Sequence, residues 1–417
     1  MKKSLIAVAV AGLFAAPAAM AEVTISGAIN VGVSYGKSSD MGNGQSKTVT
    51  GIASGGHYSH LDIESVDDIG GGNKVIMHYQ FDISGTSTAG FGSAGGAVGN
   101  RNSYIGIAGG WGAVKVGTNE NVYERMLYTA DPLDGAAGAG GNLNLLGIPG
   151  GLGFAVGQNP AGGATGCCSP AFGPGGAGGD PGFYRRANQV IWYESPNWNG
   201  FSFEVDQTMS AYKQTIGGSE INPMITSLGG KFAPDGAPFY ISAAWEQHKD
   251  MFGINFVAQS QAGTSTVTNS KDNAYMIGAG WKFSSIGLGL DFIYEHLDYK
   301  ADGGTVSLGG NIGQTGVDDY KRDAYWIGAK YDLPSGYLGA EFGIAEDGKT
   351  NVGKANDTGA KMFAIGYYHN LSKQSQLQFV YARTDNDDNA NYIQFDAPSG
   401  ALGSTNQAFE VNIKHTF

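Results

Sequence analysis

Seven histidines are the first place to look for catalysis or metal ligation, and they are dispersed: His57, His60, His78, His248, His296, His369 and His415. Only His57 and His60 are close, and a three-residue spacing in extended chain sends two side chains to opposite faces. No Ser or Asp stands with a nearby His in a recognisable hydrolase set. The run Gly150-Gly151-Leu152-Gly153 lacks the strand-to-helix context of a phosphate loop and reads as turn-rich backbone. Asp385, Asp387 and Asp388 have the chemistry of a divalent-cation loop, but read first as a solvated segment. Cys167 and Cys168 are adjacent, so they suit a vicinal disulfide, an interchain pair or reduced thiols, and provide no disulfide framework. No catalytic residue, metal or cofactor is assigned on this basis.

What needs a structural explanation is the stretch from Asn119 to Arg185. Between Leu133 and Gly182, 18 of 50 residues are Gly, with five prolines and both cysteines. The flanks, Val114 to Thr118 and Gln189 to Tyr193, are compact and β-prone. A loop this long without elements of its own is functional or disordered. If the surrounding strands close into a wall, it can fold inside and narrow the hole.

Residues 1–21 have a basic start (Lys2, Lys3), an apolar run from Leu5 to Leu13 and a small-residue end at Ala19-Met20-Ala21, the pattern of a cleaved secretory leader. The expected organisation is a leader over 1–21 and one domain over 22–417. Losing Lys2 and Lys3 moves the formal net charge from −12 to −14, which argues against nucleic acid as a partner. No later segment has the 18 or more apolar residues of a spanning helix. A β-barrel escapes that test, because each strand puts only every second residue into lipid.

Alternation is the main signal. Val23, Ile25, Ile29, Val31, Val33 and Tyr35 share one strand face, opposite Thr24, Ser26, Asn30 and Ser34. The final strand repeats it, with Phe409, Val411, Ile413 and Phe417 opposite Glu410, Asn412, Lys414 and Thr416. Fourteen more candidates lie between them: 59–66, 74–83, 102–108, 113–118, 188–194, 201–209, 224–232, 239–248, 274–283, 288–297, 324–332, 337–345, 361–369 and 376–383. No comparable segment carries a helical period, so the class is all-β. Short turns at 67–73, 109–112, 196–200, 234–238, 284–287, 333–336 and 371–375 alternate strictly with eight longer polar loops. Sixteen antiparallel strands with both termini on one side need that division, and bacterial outer-membrane barrels have short periplasmic turns and long external loops. The polar faces carry charge: Lys74, His78, Gln80 and Asp82 in one strand, Glu204 and Asp206 in another, Asp291 and Glu295 in a third. Tyr35, Tyr79, Tyr193, Trp281, Tyr299, Tyr337 and Phe417, near strand ends, suit interfacial aromatic girdles.

Several stretches together resemble the general diffusion porins of Gram-negative bacteria, in particular the branch with neisserial-type sequences. They are Gly-Ala-Ile-Asn-Val-Gly at 27–32, Tyr104-Ile105-Gly106-Ile107 with Trp111-Gly112, and Val116-Gly117 before the long loop. Tyr193-Glu194-Ser195-Pro196-Asn197-Trp198-Asn199-Gly200, Gly366-Tyr367-Tyr368-His369-Asn370-Leu371-Ser372-Lys373 and the ending Lys414-His415-Thr416-Phe417 complete the set. The resemblance implies a sixteen-stranded transmembrane antiparallel barrel in the cell outer membrane, trimeric and water-filled, with loop 119–185 folded inward as the constriction. The implied partners are two further copies, outer-membrane lipid and lipopolysaccharide, and small hydrophilic solutes and ions, with no enzymatic activity.

The resemblance also places an arginine cluster on the wall against acids of the inward loop. Arg101 and Arg186 match the wall arginines, and Glu120, Glu124, Asp131 and Asp134 lie where the acids are expected. His60 stands where an Arg precedes Leu61 in the family, and Ala28 where some members have Lys, so the wall cluster is thinner. Histidine has a reference pKa of about 6.5, so His60 is expected to be largely neutral at pH 7. Acids then outnumber bases, and weak cation preference is expected. The alternative reading is a barrel whose plugged lumen serves adhesion or structural anchoring.

Overall fold

The computed structural model describes residues 22–40, 45–53, 59–83, 100–133, 138–150, 182–209, 213–216, 218–260, 263–394, 397–398 and 401–417. The leader, His57, Asp134, Gly151 to Gly153 and the cysteines lie outside the described residues.

The main element is a closed antiparallel barrel of sixteen strands. In chain order they are β1 (Glu22–Ser39), β2 (Lys47–Ala53 continued by His60–Gly70), β3 (Asn73–Asp82), β4 (Asn100–Gly109), β5 (Gly112–Glu120) and β6 (Arg186–Glu194). There follow β7 (Phe201–Thr208), β8 (Met224–Phe232), β9 (Phe239–Lys249), β10 (Lys271–Phe283) and β11 (Leu288–Lys300). The last five are β12 (Asp319–Leu333), β13 (Gly336–Ala345), β14 (Ala360–Asn370), β15 (Ser375–Asn386) and β16 (Thr405–Thr416). Each strand pairs with its sequence neighbour, and β16 pairs with β1 from Ala28↔Thr416 to Ser39↔Thr405. At the seam Gly27 and Phe417 exchange backbone hydrogen bonds of 3.1 Å each way. Closure matters because an unpaired sheet edge in hydrocarbon leaves backbone groups each costing several kcal/mol.

The division into short and long connections holds. A short turn such as 195–200 works because Gly200, at φ 95°, takes a left-handed conformation that side chains resist, while Asn197 Oδ1 accepts its N–H at 2.6 Å. At the opposite end the long loops carry their own small elements. They include the hairpin Val306–Leu308 with Gln314–Val317 and a short helix, Gly253–Ser260.

The barrel is inside-out relative to a soluble fold. Val23, Ile25, Val33, Ile105, Ile277, Phe342, Ile365 and Ile413 lie on the outer face and are exposed, the lipid-facing arrangement for a chain that crosses a membrane with strands. The buried apolar core lies within the lumen. From β9 to β16 many inward positions are small or apolar, including Ala274, Met276, Ala324, Trp326, Met362, Ala364, Val380 and Ala382, interspersed with buried polar groups such as Glu246, His248, Asp272, Glu295, Arg322 and Glu341. The apolar ones form one cluster with Leu127, Leu133, Leu143, Leu145, Leu146 and Ile148 of the long third loop. That loop enters through helix α1 (Val122–Tyr128) and continues through a single turn of 3-10 helix at Asn142–Asn144.

Wall glycines make the slots into which the loop packs. A Cβ on Gly339 would lie 2.5 Å from the Leu133 side chain, and one on Gly366 would lie 2.8 Å from it. Inward carboxylates supply the fixing points. Asp206 accepts the Val122 N–H at 2.7 Å, Glu410 that of Ala139 at 2.8 Å and Glu295 that of Gly147 at 2.8 Å. Arg322, wholly buried with Glu295 and 2.9 Å from it, donates to the loop carbonyls of Leu145 and Ile148. Backbone that would otherwise be orphaned inside the barrel is thereby satisfied.

Candidate functional site

Strands β2 to β6 present the opposite half of the lumen, where a continuous polar ladder runs from strand to strand. Register builds it. Asp62 lies directly across from Gln80, and Glu120 directly across from Arg186. His60 Nε2 is 3.2 Å from Asp62 Oδ2, and His78 Nε2 is 2.8 Å from Asp62 Oδ1. Gln80 donates to the same Asp62 oxygen at 2.9 Å and accepts from Arg101 Nε at 2.9 Å. Arg101 lies 3.8 Å from Glu120, which Arg186 also bonds, and Arg186 Nε donates to Asn102 at 2.9 Å. Such charge-assisted bonds hold long side chains in place. They also remain wet, since Arg186 is 23 % exposed and Arg101 13 %, against none for Arg322 on the loop-covered half.

Of the expected set, the structure brings together Arg101, Arg186, His60 and Glu120. Glu124 sits on α1 and is buried, with one oxygen accepting from Tyr128 Oη. Burial, reinforced by the Glu120 charge, pushes its carboxyl up to about 8, so at pH 7 it presents little negative charge. Asp131 braces the loop, accepting the N–H of Leu133 at 3.0 Å and of Asn142 at 3.4 Å, and lies against Glu341 of the far wall. Asp134 lies outside the described residues. Asp385 is held by Arg383 and Thr405, and no group of three metal-ligating side chains occurs among the described residues.

A second tier of charge lies beside the ladder, outside the expected constriction set. Lys115 bonds Glu194 at 2.6 Å, with its ammonium 4.7 Å from the centre of the Tyr104 ring and 5.9 Å from that of Trp192. Arg125, reaching from α1, pairs with Glu204 on β7. Inward parity on β5, β6 and β7 marks Lys115, Glu194 and Glu204. No local signal marks Arg125, because it depends on where the loop lands.

A chain whose strands close at sixteen, with a polar lumen partly filled by its third loop, has the architecture of a diffusion channel. A family model described as Gram-negative porin matches residues 7–389. The chain belongs to the Gram-negative porin family. Among similar proteins, outer membrane porin protein 32 of Delftia acidovorans is 27 % identical over the full length of both chains. The major outer membrane protein P.IB of Neisseria gonorrhoeae is 33 % identical over 145 residues, 32 % of this chain and 39 % of that one. The anion-selective porin from Comamonas acidovorans shares the fold at TM-score 0.67 and 24 % identity, covering 95 % of this chain and all of its own. OmpT of Vibrio cholerae in its trimer form shares it at TM-score 0.59 and 10 % identity, covering 95 % of this chain and 99 % of its own. The protein is an outer-membrane porin, of a family of channels rather than enzymes.

Proposed function

We propose that small hydrophilic solutes and ions cross along the β2–β6 side of the lumen only, past a constriction formed by Arg101, Arg186, His60 and Glu120 with α1 as its inner bank. The observation that carries this is the contrast in water access between the ladder and the loop-covered half. Glu124 and Asp131 act in this reading as supports of the inner bank. Among the lining residues Asp62, Glu64, Glu120, Glu194 and Glu204 stand against Arg101, Lys115, Arg125 and Arg186. Glu204 is buried against Arg125, so the charges facing the passage nearly balance and the proposed cation preference is weak. The working unit is proposed to be a homotrimer in lipid and lipopolysaccharide, supported by the trimer form of a protein of the same fold.

Single-channel recording with a KCl gradient tests pore, size and selectivity together. Ohmic channels with reversal on the cation side are expected, and anion-side reversal ends the selectivity proposal. The apolar packing inside the lumen gives a specific reason to keep the plugged-barrel reading as second. Liposome swelling with sugars of graded size separates the two, since a plugged barrel admits none.

A further inference from the structure

Beneath the docked loop, at the short-turn end of the barrel, lies a cavity of about 520 Å³ lined by none of the constriction residues. Its roof is the loop itself, at Thr129, Asp131 and Pro132, and its sides are the inner wall from β11 to β16 with the turn between β14 and β15. The roof is sealed against the wall: a Cβ added to Gly328 would lie 2.8 Å from the Pro132 ring. Below that roof the cup opens towards the short-turn end, which in porins faces the periplasm.

Its lining is basic and oxygen-seeking. Lys330, Lys373 and Lys414 reach it from β12, the turn and β16, and Asn370 and Gln376 add amide donors. Lys330 is set in position by aromatic contact. Its ammonium sits 4.0 Å over the Tyr337 ring, and Tyr337 stacks on Tyr368 at 4.4 Å, whose hydroxyl donates to the Leu133 carbonyl of the loop. A cation–π contact uses none of the ammonium N–H donors. A neighbouring groove shares Lys330 and Asp291 and adds Lys231, 4.6 Å over the Tyr240 ring. Two carboxylates border the cup: Asp291, which accepts from Tyr240 Oη at 2.8 Å and faces the charges of Lys231 and Lys330, and Asp131, which accepts the loop amides described above; the cup's three lysines outnumber them.

We propose that this cup is a binding site for a compact multivalent oxyanion of the oligophosphate class, entering from the periplasm and held chiefly by Lys330 and Lys373. Lysine is a point-charge ligand for phosphate oxygens. The proposal goes beyond the channel reading and does not rest on it.

The test is titration calorimetry of the full chain in neutral detergent with inorganic tripolyphosphate at 20 mM NaCl. Saturable binding is expected, weakened at least about tenfold in Lys330→Gln/Lys373→Gln, where two charge-assisted contacts are lost. Weakening is also expected at 0.5 M NaCl as screening sets in. Arg101→Gln, at the constriction and away from the cup, should change the affinity by less than about twofold. Heat-modifiable gel mobility shows that each variant forms a barrel. Absence of saturable binding, equal affinity in the double lysine variant, or loss in Arg101→Gln as large as in that variant each overturns the proposal. Channel conductance, measured separately, leaves the porin reading standing in any of those cases.

Discussion

The two halves of the barrel wall obey the same alternation and end up in opposite environments. On β2–β6 the inward residues include His60, Asp62, His78 and Gln80 in one bonded group and Lys115 and Glu194 in another, partly open to water, beside a small buried cluster around Val190 and Trp192. On β12–β15 they are dominated by Ala324, Trp326, Ala345, Met362, Ala364, Val380 and Ala382, dry beneath the third loop. An inward position in a porin is therefore a choice between two solvents, water or a folded loop. Small and apolar side chains at that parity mark a docking surface rather than a lumen. Buried charges on and beside the dry half follow the same logic, since Glu295, Arg322, Glu341 and Glu410 each bond loop backbone.

The comparison breaks most severely if the dry half loses its buried ion pair. Arg322→Met leaves Glu295 unpaired in the interior, a change of about 3–5 kcal/mol. It is expected to lower the thermal midpoint of the barrel and raise single-channel conductance as the loop lifts. An unchanged conductance and midpoint together would show that the loop is not held there. Leu133→Ala empties the slot between Gly339 and Gly366 and is expected to cost about 3 kcal/mol. The effect has the same direction and a smaller size, read by guanidinium unfolding of the detergent-solubilised protein.

On the wet half, Glu120→Gln leaves Arg101 and Arg186 without their shared carboxylate. The cation-to-anion permeability ratio is expected to fall by about twofold or more, read as a shifted reversal potential in a KCl gradient. No shift would move the selective element away from this ladder. The smallest effect lies at the boundary between the halves. Glu124 ordinarily titrates near 4.5 and is raised to about 8 by burial on α1. A carboxyl with a raised folded-state pKa favours the docked helix most fully below its ordinary value, and that contribution is lost as pH rises through the raised one. Open-channel current noise is therefore expected to grow between pH 7 and 9 in the wild type and to stay flat in Glu124→Gln. Identical profiles for the two would remove Glu124 from the control of the loop.

Much of this molecule is written in local pattern. Sixteen two-faced segments and seven short turns follow from a period of two and from turn chemistry, both properties of near neighbours in the chain. Arg101, Arg186 and Glu120 were legible through the family resemblance, and the register that places Glu120 across from Arg186 brings that pair together. The alternation showed Asp206 and Glu295 pointing inward, yet not that they would meet loop amides instead of ions. Nor did it show that Glu124 would be buried or that Asp131 would turn to the far wall, since loop 119–185 has no periodicity to fix its path.

The sequence by itself determined a closed barrel with an apolar outside, because alternation and strand count are enforced residue by residue. Only the tertiary structure decided which half of the interior stays wet. That depends on where a long loop finds wall glycines for its leucines and wall carboxylates for its backbone, contacts between residues up to 271 positions apart.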